Sequence, residues 1–406
     1  MSRSILAAAG LTYRTKGITD RVAGISISAI KEMPILATQV PGAISLGQGI
    51  PSFRTPAHIR TAVAQALEDD DAIGKYSLQP GWPVLREAVA RELGRIKGIE
   101  VDPHREVFIS TGSMEALFAA MMTVVDPGGE VIMPSPNYAS HVEQVCLAGG
   151  RVVWAPLIEQ SGWRLDLEAI SRAITNKTRA IILCSPLNPT GTVFSEDDIR
   201  GVADLCIKND LFLISDEAYD FMIYDQPAPF SATQIPELKE QLIACFSFSK
   251  KYAMTGWRVG YMYASAGVID QVLKVHDALT ISAPTISQVA ALAAINGPQD
   301  CVVEMVSELK KRRDLMCRRL DELAPVFTYQ RPGGAYYIFV RFNLPGLTSV
   351  DLALKLLFAA KGITIPGQVF GPTGEKFIRL SFGGEESQID QAFDRIAAWL
   401  KGQGLV

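Results

Sequence analysis

The stretch of the chain with the most chemical potential is residues 247–260, Ser247-Phe248-Ser249-Lys250-Lys251-Tyr252-Ala253-Met254-Thr255-Gly256-Trp257-Arg258-Val259-Gly260. It follows the apolar run 242–246 and leads into Tyr261-Met262-Tyr263, so it reads as a buried strand, a lysine-bearing loop and a second strand. A lysine at the end of an apolar strand is partly desolvated. Desolvation disfavours the ammonium form, lowers the pKa and yields an amine able to form an imine with a carbonyl compound near neutral pH. Ser247, Ser249 and Arg258 add hydroxyls and a guanidinium fork, the donors that a phosphate takes. Taken alone, a solvated Lys250-Lys251 turn with Arg258 capping a strand fits the stretch equally well.

An imine-forming lysine beside a phosphate site suggests pyridoxal phosphate, and other segments extend that reading. Thr111-Gly112-Ser113-Met114 stands between a strand and a helix, where free amides and the helix dipole favour an anion. Alone it is an ordinary N-cap; beside Ser247, Ser249 and Arg258 it is the second half of a phosphate cup. Asp216 follows the apolar residues 211–214, and an acid there is costly to bury without a cation. A protonated pyridine nitrogen would be that cation. Arg379 is a guanidinium inside the apolar strand 376–382, suited to bidentate carboxylate binding or, on an edge strand, to snorkelling into water. Residues 44–53 nearly spell a dinucleotide fingerprint, but Ser52 stands where its last glycine belongs and residues 51–56 do not promptly open a helix.

In order and spacing these elements resemble the class I and II aminotransferases, the fold-type I pyridoxal phosphate enzymes. Their cofactor-lysine signature is a small residue, an apolar one, Ser and Lys, with Arg-apolar-Gly eight residues on, and that register selects Lys250. Lys251 is then expected at the surface. The resemblance implies that Lys250, Asp216 and Tyr219 are catalytic. Asp216 would keep the ring nitrogen protonated, while Asn188, in Asn188-Pro189-Thr190-Gly191, and Tyr219 would reach the phenolic oxygen. Gly112, Ser113, Met114, Ser247, Ser249 and Arg258 would surround the phosphate. Tyr138 would stack on the pyridine, with His141 lining the pocket. Gly49, in a loop similar to Leu-x-x-Gly-x-Pro-Asp-Phe although Ser52 replaces the Asp, would meet the substrate carboxylate together with Asn188 and Arg379. Tyr76, in a segment similar to Tyr-x-x-x-x-Gly-x-x-x-Leu-Arg, would reach a neighbouring subunit's phosphate, which implies a homodimer with active sites at the interface.

The implied reaction is ping-pong transfer of an amino group from an L-amino acid to a 2-oxo acid such as 2-oxoglutarate. Neutral, apolar or aromatic donors are expected, because two places where the family carries a side-chain cation hold Met114 and the uncharged residues 278–284. Arg54 and Lys75 remain as cations that could approach from a mobile loop or a partner. An aspartate aminotransferase is the alternative within the same chemistry, and carbon–sulfur lyases share every cofactor residue named. A cofactor-binding regulator without catalysis is disfavoured by the intact Lys250 and by a tail too short for a DNA-binding helix-turn-helix.

Composition sets the frame for these residues. The chain has 406 residues, 48% of them apolar, and a net charge of -4 with both signs interspersed, which gives no reason to expect a nucleic-acid or membrane partner. Its six cysteines are scattered without a CxxC and with four histidines, so no metal site is expected and a reducing, cytoplasmic setting is. Strand and helix alternate from residue 107 onward, which predicts a three-layer α/β/α large domain with a mainly parallel sheet, whose ligands sit beyond the strands' carboxyl ends. We place this domain at residues 45–290 and a smaller α+β domain at 291–406. Residues 18–44 should pack with the small domain, with a helix over 18–33 before Pro34, and residues 1–17 should form a flexible tail.

Overall fold

Segments 178–184, 212–216 and 242–247 are apolar at nearly every position, which suits strands covered on both faces rather than strands with one face in water. In the computed structural model, which describes residues 17–25 and 29–405, they form the middle of a seven-stranded sheet. In chain order the strands are β1 (Ile44–Ser45), β2 (Val107–Ser110), β3 (Glu130–Ser135), β4 (Arg151–Pro156), β5 (Thr178–Cys184), β6 (Phe212–Asp216), β7 (Leu242–Ser247), β8 (Gly260–Ala264), β9 (Phe327–Tyr329), β10 (Tyr337–Phe342), β11 (Gly362–Ile363), β12 (Ile365–Pro366) and β13 (Phe377–Ser381). The large sheet has the order β2-β8-β7-β6-β5-β3-β4. Strand β8 is antiparallel to β2 and β7, and the remaining pairs are parallel. Helices such as Ser113–Val124, Ala139–Leu147 and Glu196–Asn209 connect the strands and bury their apolar stripes on the sheet. The α/β architecture is the one expected.

A second, four-stranded antiparallel sheet runs β12-β13-β10-β9. Helices Asp300–Asp321, Ser349–Ala360 and Glu386–Gly402 cover it, with Leu309, Met316, Leu356 and Phe393 buried among Ile338, Val340 and Leu380. The N-terminal segment joins this part, since β1 pairs in parallel with β11. Trp163, from the large-sheet side, packs edge-on against Phe339 and Phe377 and ties the two sheets through apolar contact.

Two local expectations give way. The helix expected over 18–33 is a short turn, Asp20–Ala23, that ends at Gly24, and a separate helix, Ala29–Ala37, runs through Pro34. A proline inside a helix costs about 3 kcal/mol. Here Met33 and Leu36, at 0% and 1% exposure, gain about 1.5–3 kcal/mol each by burial and offset it. The lysine-bearing loop after β7 is a single helical turn, Phe248–Lys251. Of the expected tail, residues 1–16 lie outside the described residues.

Candidate active site

Strands β5, β6 and β7 end side by side at Cys184, Asp216 and Ser247, and a cavity of about 490 Å³ opens over these ends. Ser113, Met114, Ser247, Ser249 and Arg258 line one side of it. Tyr138, Asp216 and Tyr219 line its floor, and Gly49, Asn188, Lys250 and Arg379 complete the wall.

The Ser247 hydroxyl accepts the Ser249 amide at 3.1 Å and starts the turn that swings Lys250 over the end of β7. Nζ of Lys250 donates to the Gly49 carbonyl and lies 5.9 Å from the Tyr336 ring centre. Burial, followed by the charges of Arg379 and Arg258, lowers its pKa to about 8. Lys251 faces the opposite way. It was expected at the surface, but a helical step turns it onto helix Pro83–Lys97, where its side chain is 19% exposed and pairs with Glu92 at 3.2 Å. Burial opposes its charge, yet Tyr252, Asp220 and Glu92 keep its pKa above the ordinary lysine value. Neighbouring lysines are thus driven in opposite directions by what their faces meet.

At the phosphate end, Gly112 has φ 79°, and a Cβ there would lie 2.6 Å from Nη2 of Arg258, so only glycine lets the guanidinium close on the loop. Arg258 donates to the carbonyls of Thr255 at 3.0 Å and Thr111 at 3.4 Å. The loop amides divide unequally. The Glu115 carboxylate takes the Thr111 amide and the Ser110 carbonyl takes that of Gly112 at 2.8 Å. Ser113 and Met114 are the first helical residues, so their amides have no intrahelical acceptor and are left for an anion. Gly112 shapes the cup rather than donating to it. Behind the cup, Glu115 is buried against His276, whose hydrogen bond lowers the carboxyl pKa although burial pushes the other way.

Asp216 is 4% exposed. Its Oδ1 accepts the Ala218 amide at 3.1 Å and its Oδ2 meets Nε2 of His141 at 3.0 Å. The other nitrogen of His141 lies 2.9 Å from Oδ1 of Asn137, which also accepts the Tyr138 amide. His141 was expected on the pocket wall and is instead wholly buried behind Asp216, because the first turn of helix Ala139–Leu147 directs it at the end of β6. The adjacent acid turns away. Glu217 bonds to Ser231 at 2.5 Å and to the buried Lys97 at 3.2 Å, and burial raises its pKa.

Arg379, on β13 and 1% exposed, reaches the cavity across the sheet boundary. Its Nη1 donates to Oδ1 of Asn188 at 2.9 Å and its Nη2 to the Gly47 carbonyl at 2.6 Å, over the ring of Tyr337. With its carbonyl accepting from Arg379, Asn188 keeps its NH2 for a ligand. The Gly49 carbonyl accepts the Tyr336 hydroxyl at 2.7 Å, and a Cβ at Gly49 would lie 2.6 Å from the Tyr337 hydroxyl. The hydroxyls of Tyr219 and Tyr337 meet at 3.0 Å, and burial pushes the Tyr219 phenol well up.

Tyr76 stands apart. It is 77% exposed and lies with Lys75 and Ser282 at a separate surface depression. Sequence reasoning missed Tyr336, Tyr337, Thr255 and Lys31, the last three of which line the cavity. Tyrosines inside the apolar run 335–340 were the available signal, since buried hydroxyls seek partners. Among the described residues no cluster of His, Cys, Asp and Glu suits a metal, and no helix is long and apolar enough to cross a membrane.

The family model for aminotransferase class I and II matches residues 41–396. An aspartate aminotransferase of Pyrococcus abyssi is 34% identical over 96% of this chain and 99% of its own length. An aromatic-amino-acid aminotransferase of Thermococcus litoralis is 34% identical over 96% of this chain and 100% of its own. The structure of the Thermus thermophilus aspartate aminotransferase with maleate superposes with a TM-score of 0.89 at 32% identity, covering 95% of this chain and 100% of that one.

Proposed function

The chain belongs to the class I and II aminotransferases, and from that premise we propose that it works on pyridoxal 5'-phosphate held by the residues of this cavity and prefers neutral, apolar or aromatic amino donors. It is an enzyme that transfers amino groups. The observation that carries the proposal is the junction, in one cavity, of an amine lowered to about 8, a buried acid at a strand end and a buried guanidinium.

The residues present fit the cofactor. Thr111 Oγ1 is buried without a partner beside the free first-turn amides of Ser113 and Met114, and Arg379 Nε is likewise unpartnered. Ser113, Met114, Ser247, Ser249 and Arg258 would hold the phosphate in the room Gly112 leaves. Tyr138 would face the ring, Asp216 its nitrogen, and Asn188 and Tyr219 its phenolic oxygen, with Lys250 at the aldehyde carbon. The bound group supplies an electron sink for the amino acid's Cα.

Lys250 is the base that takes the Cα proton. With a pKa of about 8, roughly a tenth of it is free amine at pH 7, far more than for an ordinary lysine. Asp216, bonded to His141, favours positive charge on the group before it. Arg379 orients the substrate through its α-carboxylate, with Asn188 and Gly49 beside it. A ring or aliphatic side chain would gain about 1.5–3 kcal/mol by burial against Ile50, Met114 and Tyr138, more than the ~1 kcal/mol an exposed ion pair returns to an acidic one.

A homodimer is supported by large apolar side chains exposed near Tyr76, among them Leu78 at 62% and Ile281 at 45%. In it, Tyr76 would reach the phosphate of the neighbouring copy. Cytoplasmic residence is supported by six unpaired cysteines. The test is the purified enzyme with cofactor, 2-oxoglutarate and a panel of the common amino acids. Phenylalanine, leucine, methionine or alanine should exceed aspartate in kcat/KM; aspartate above all four would overturn the donor preference. Spectra taken with amino acid alone separate transfer from elimination, which would release a 2-oxo acid without reducing the cofactor's aldehyde to an amine.

A further inference from the structure

The cavity is lined by a cation that none of these roles uses. Helix Ala29–Ala37 turns Ile30, Lys31 and Pro34 towards it. Of the other lining cations, Lys250 and Arg379 are held by carbonyls and by Asn188, and Arg258 closes the phosphate loop. Lys31 forms no hydrogen bond or ion pair among the described residues. It is exposed, as are Gln48 and Ile50, so these residues mark an open mouth of the cavity.

We propose that Lys31 is a specificity-determining residue that takes the distal carboxylate of a dicarboxylic 2-oxo acid whose α-carboxylate is on Arg379. This rests on the aminotransferase reading and names the acceptor class for the same site. Arg379 lies deep, at 1% exposure, so an acid anchored there extends towards the mouth, and a second carboxylate meets the free cation. Glu143 feels the Lys31 charge without an ion pair to it; burial raises its pKa, opposed by Lys31 and by a hydrogen bond from Ser140. A lysine on a flexible stem also swings aside, and its methylenes can lie along an apolar side chain. One site thereby accepts an apolar donor and an acidic acceptor in turn.

The experiment compares KM for 2-oxoglutarate and pyruvate with one common amino donor, in the native enzyme and in Lys31→Ala, Lys31→Glu and Lys31→Arg. An exposed pair of this kind is worth up to about fivefold in an equilibrium. The ratio of KM for 2-oxoglutarate to KM for pyruvate should rise about fivefold in Lys31→Ala, rise further in Lys31→Glu and return towards native in Lys31→Arg. Screening predicts that the native preference fades as salt approaches about 1 M. Maleate against propionate, titrated by protein fluorescence without turnover, should show the same shift. A ratio unmoved in Lys31→Ala and Lys31→Glu, or equal losses for both acceptors, overturns the role of Lys31 and leaves the aminotransferase reading standing. A native enzyme that transaminates neither acceptor overturns both.

Discussion

The two walls of the cavity are built on different principles. Asp216, Asn188 and Lys250 stand at or just beyond the carboxyl ends of adjacent parallel strands, β6, β5 and β7, whose registers are locked by hydrogen bonds. Arg379, Tyr337, Gly49 and Lys31 are gathered from β13, β10, the loop after β1 and the helix before it. The first wall sets its polar groups at buried strand ends, where burial lowers the Lys250 pKa to about 8. The second is a composite of remote segments joined by side chains, such as Arg379 on Asn188 and Tyr219 on Tyr337. Under the proposed function the chemistry falls to the sheet and the choice of substrate to the roof, and mutations on the two walls should therefore fail in different ways.

The largest effect belongs to the sheet wall. Lys250→Ala should lower turnover by about four orders of magnitude or more, the loss expected of the residue proposed as both anchor and base. Borohydride reduction followed by peptide mapping should find the cofactor on Lys250, and Lys251→Ala should stay within about threefold of native stability-corrected activity, since its ion pair with Glu92 is a modest one. A label on Lys251 would break the comparison at its base.

Asp216→Asn keeps the shape and removes the charge, so kcat should fall by about a hundredfold or more with the cofactor still bound, an electrostatic loss of some 3 kcal/mol. Native turnover in that variant would mean that the acid has only a packing role. On the roof, Arg379→Ala should act mainly through binding. KM for amino and 2-oxo acids should rise about a hundredfold, through loss of a charge-assisted pair worth about 2–3 kcal/mol, with a smaller change in kcat. If kcat fell as far as in Asp216→Asn, the two walls would not divide chemistry from selection.

The smallest effect is a pH dependence that sharpens the sheet wall's contribution. Lys250 is protonated below a pKa of about 8 and is a free amine above it. Uptake of cofactor by protein freed of it should therefore slow about tenfold for each pH unit below 8 and level off above it. A midpoint near the ordinary lysine value would show that burial and the charges of Arg379 and Arg258 do not act on this amine.

Much of the sheet wall was legible in the chain. A strand covered on both faces is a run of apolar residues, and a polar residue at its end stands out as Asp216 does after residues 211–214 and Lys250 after 242–246. The eight-residue spacing from Lys250 to Arg258 was legible as part of the signature that the family resemblance supplies. The roof was less legible. Arg379 stood out inside its strand, but its grip on Asn188, 191 residues away in sequence, leaves no local trace.

The sequence by itself determined which strands are buried, because that property arises from periodicity, while the choice of Lys250 over its neighbour came from the register that the family resemblance implies. Only the tertiary structure decided that His141 stands behind Asp216, that Lys251 turns inward to Glu92, that a helix persists through Pro34, and that Lys31 reaches the cavity mouth. The physical reason is that a side chain's direction on a helix and the charges it meets depend on how distant segments pack, and a burial gain of a few kcal/mol between them overrides the local preference of any one residue.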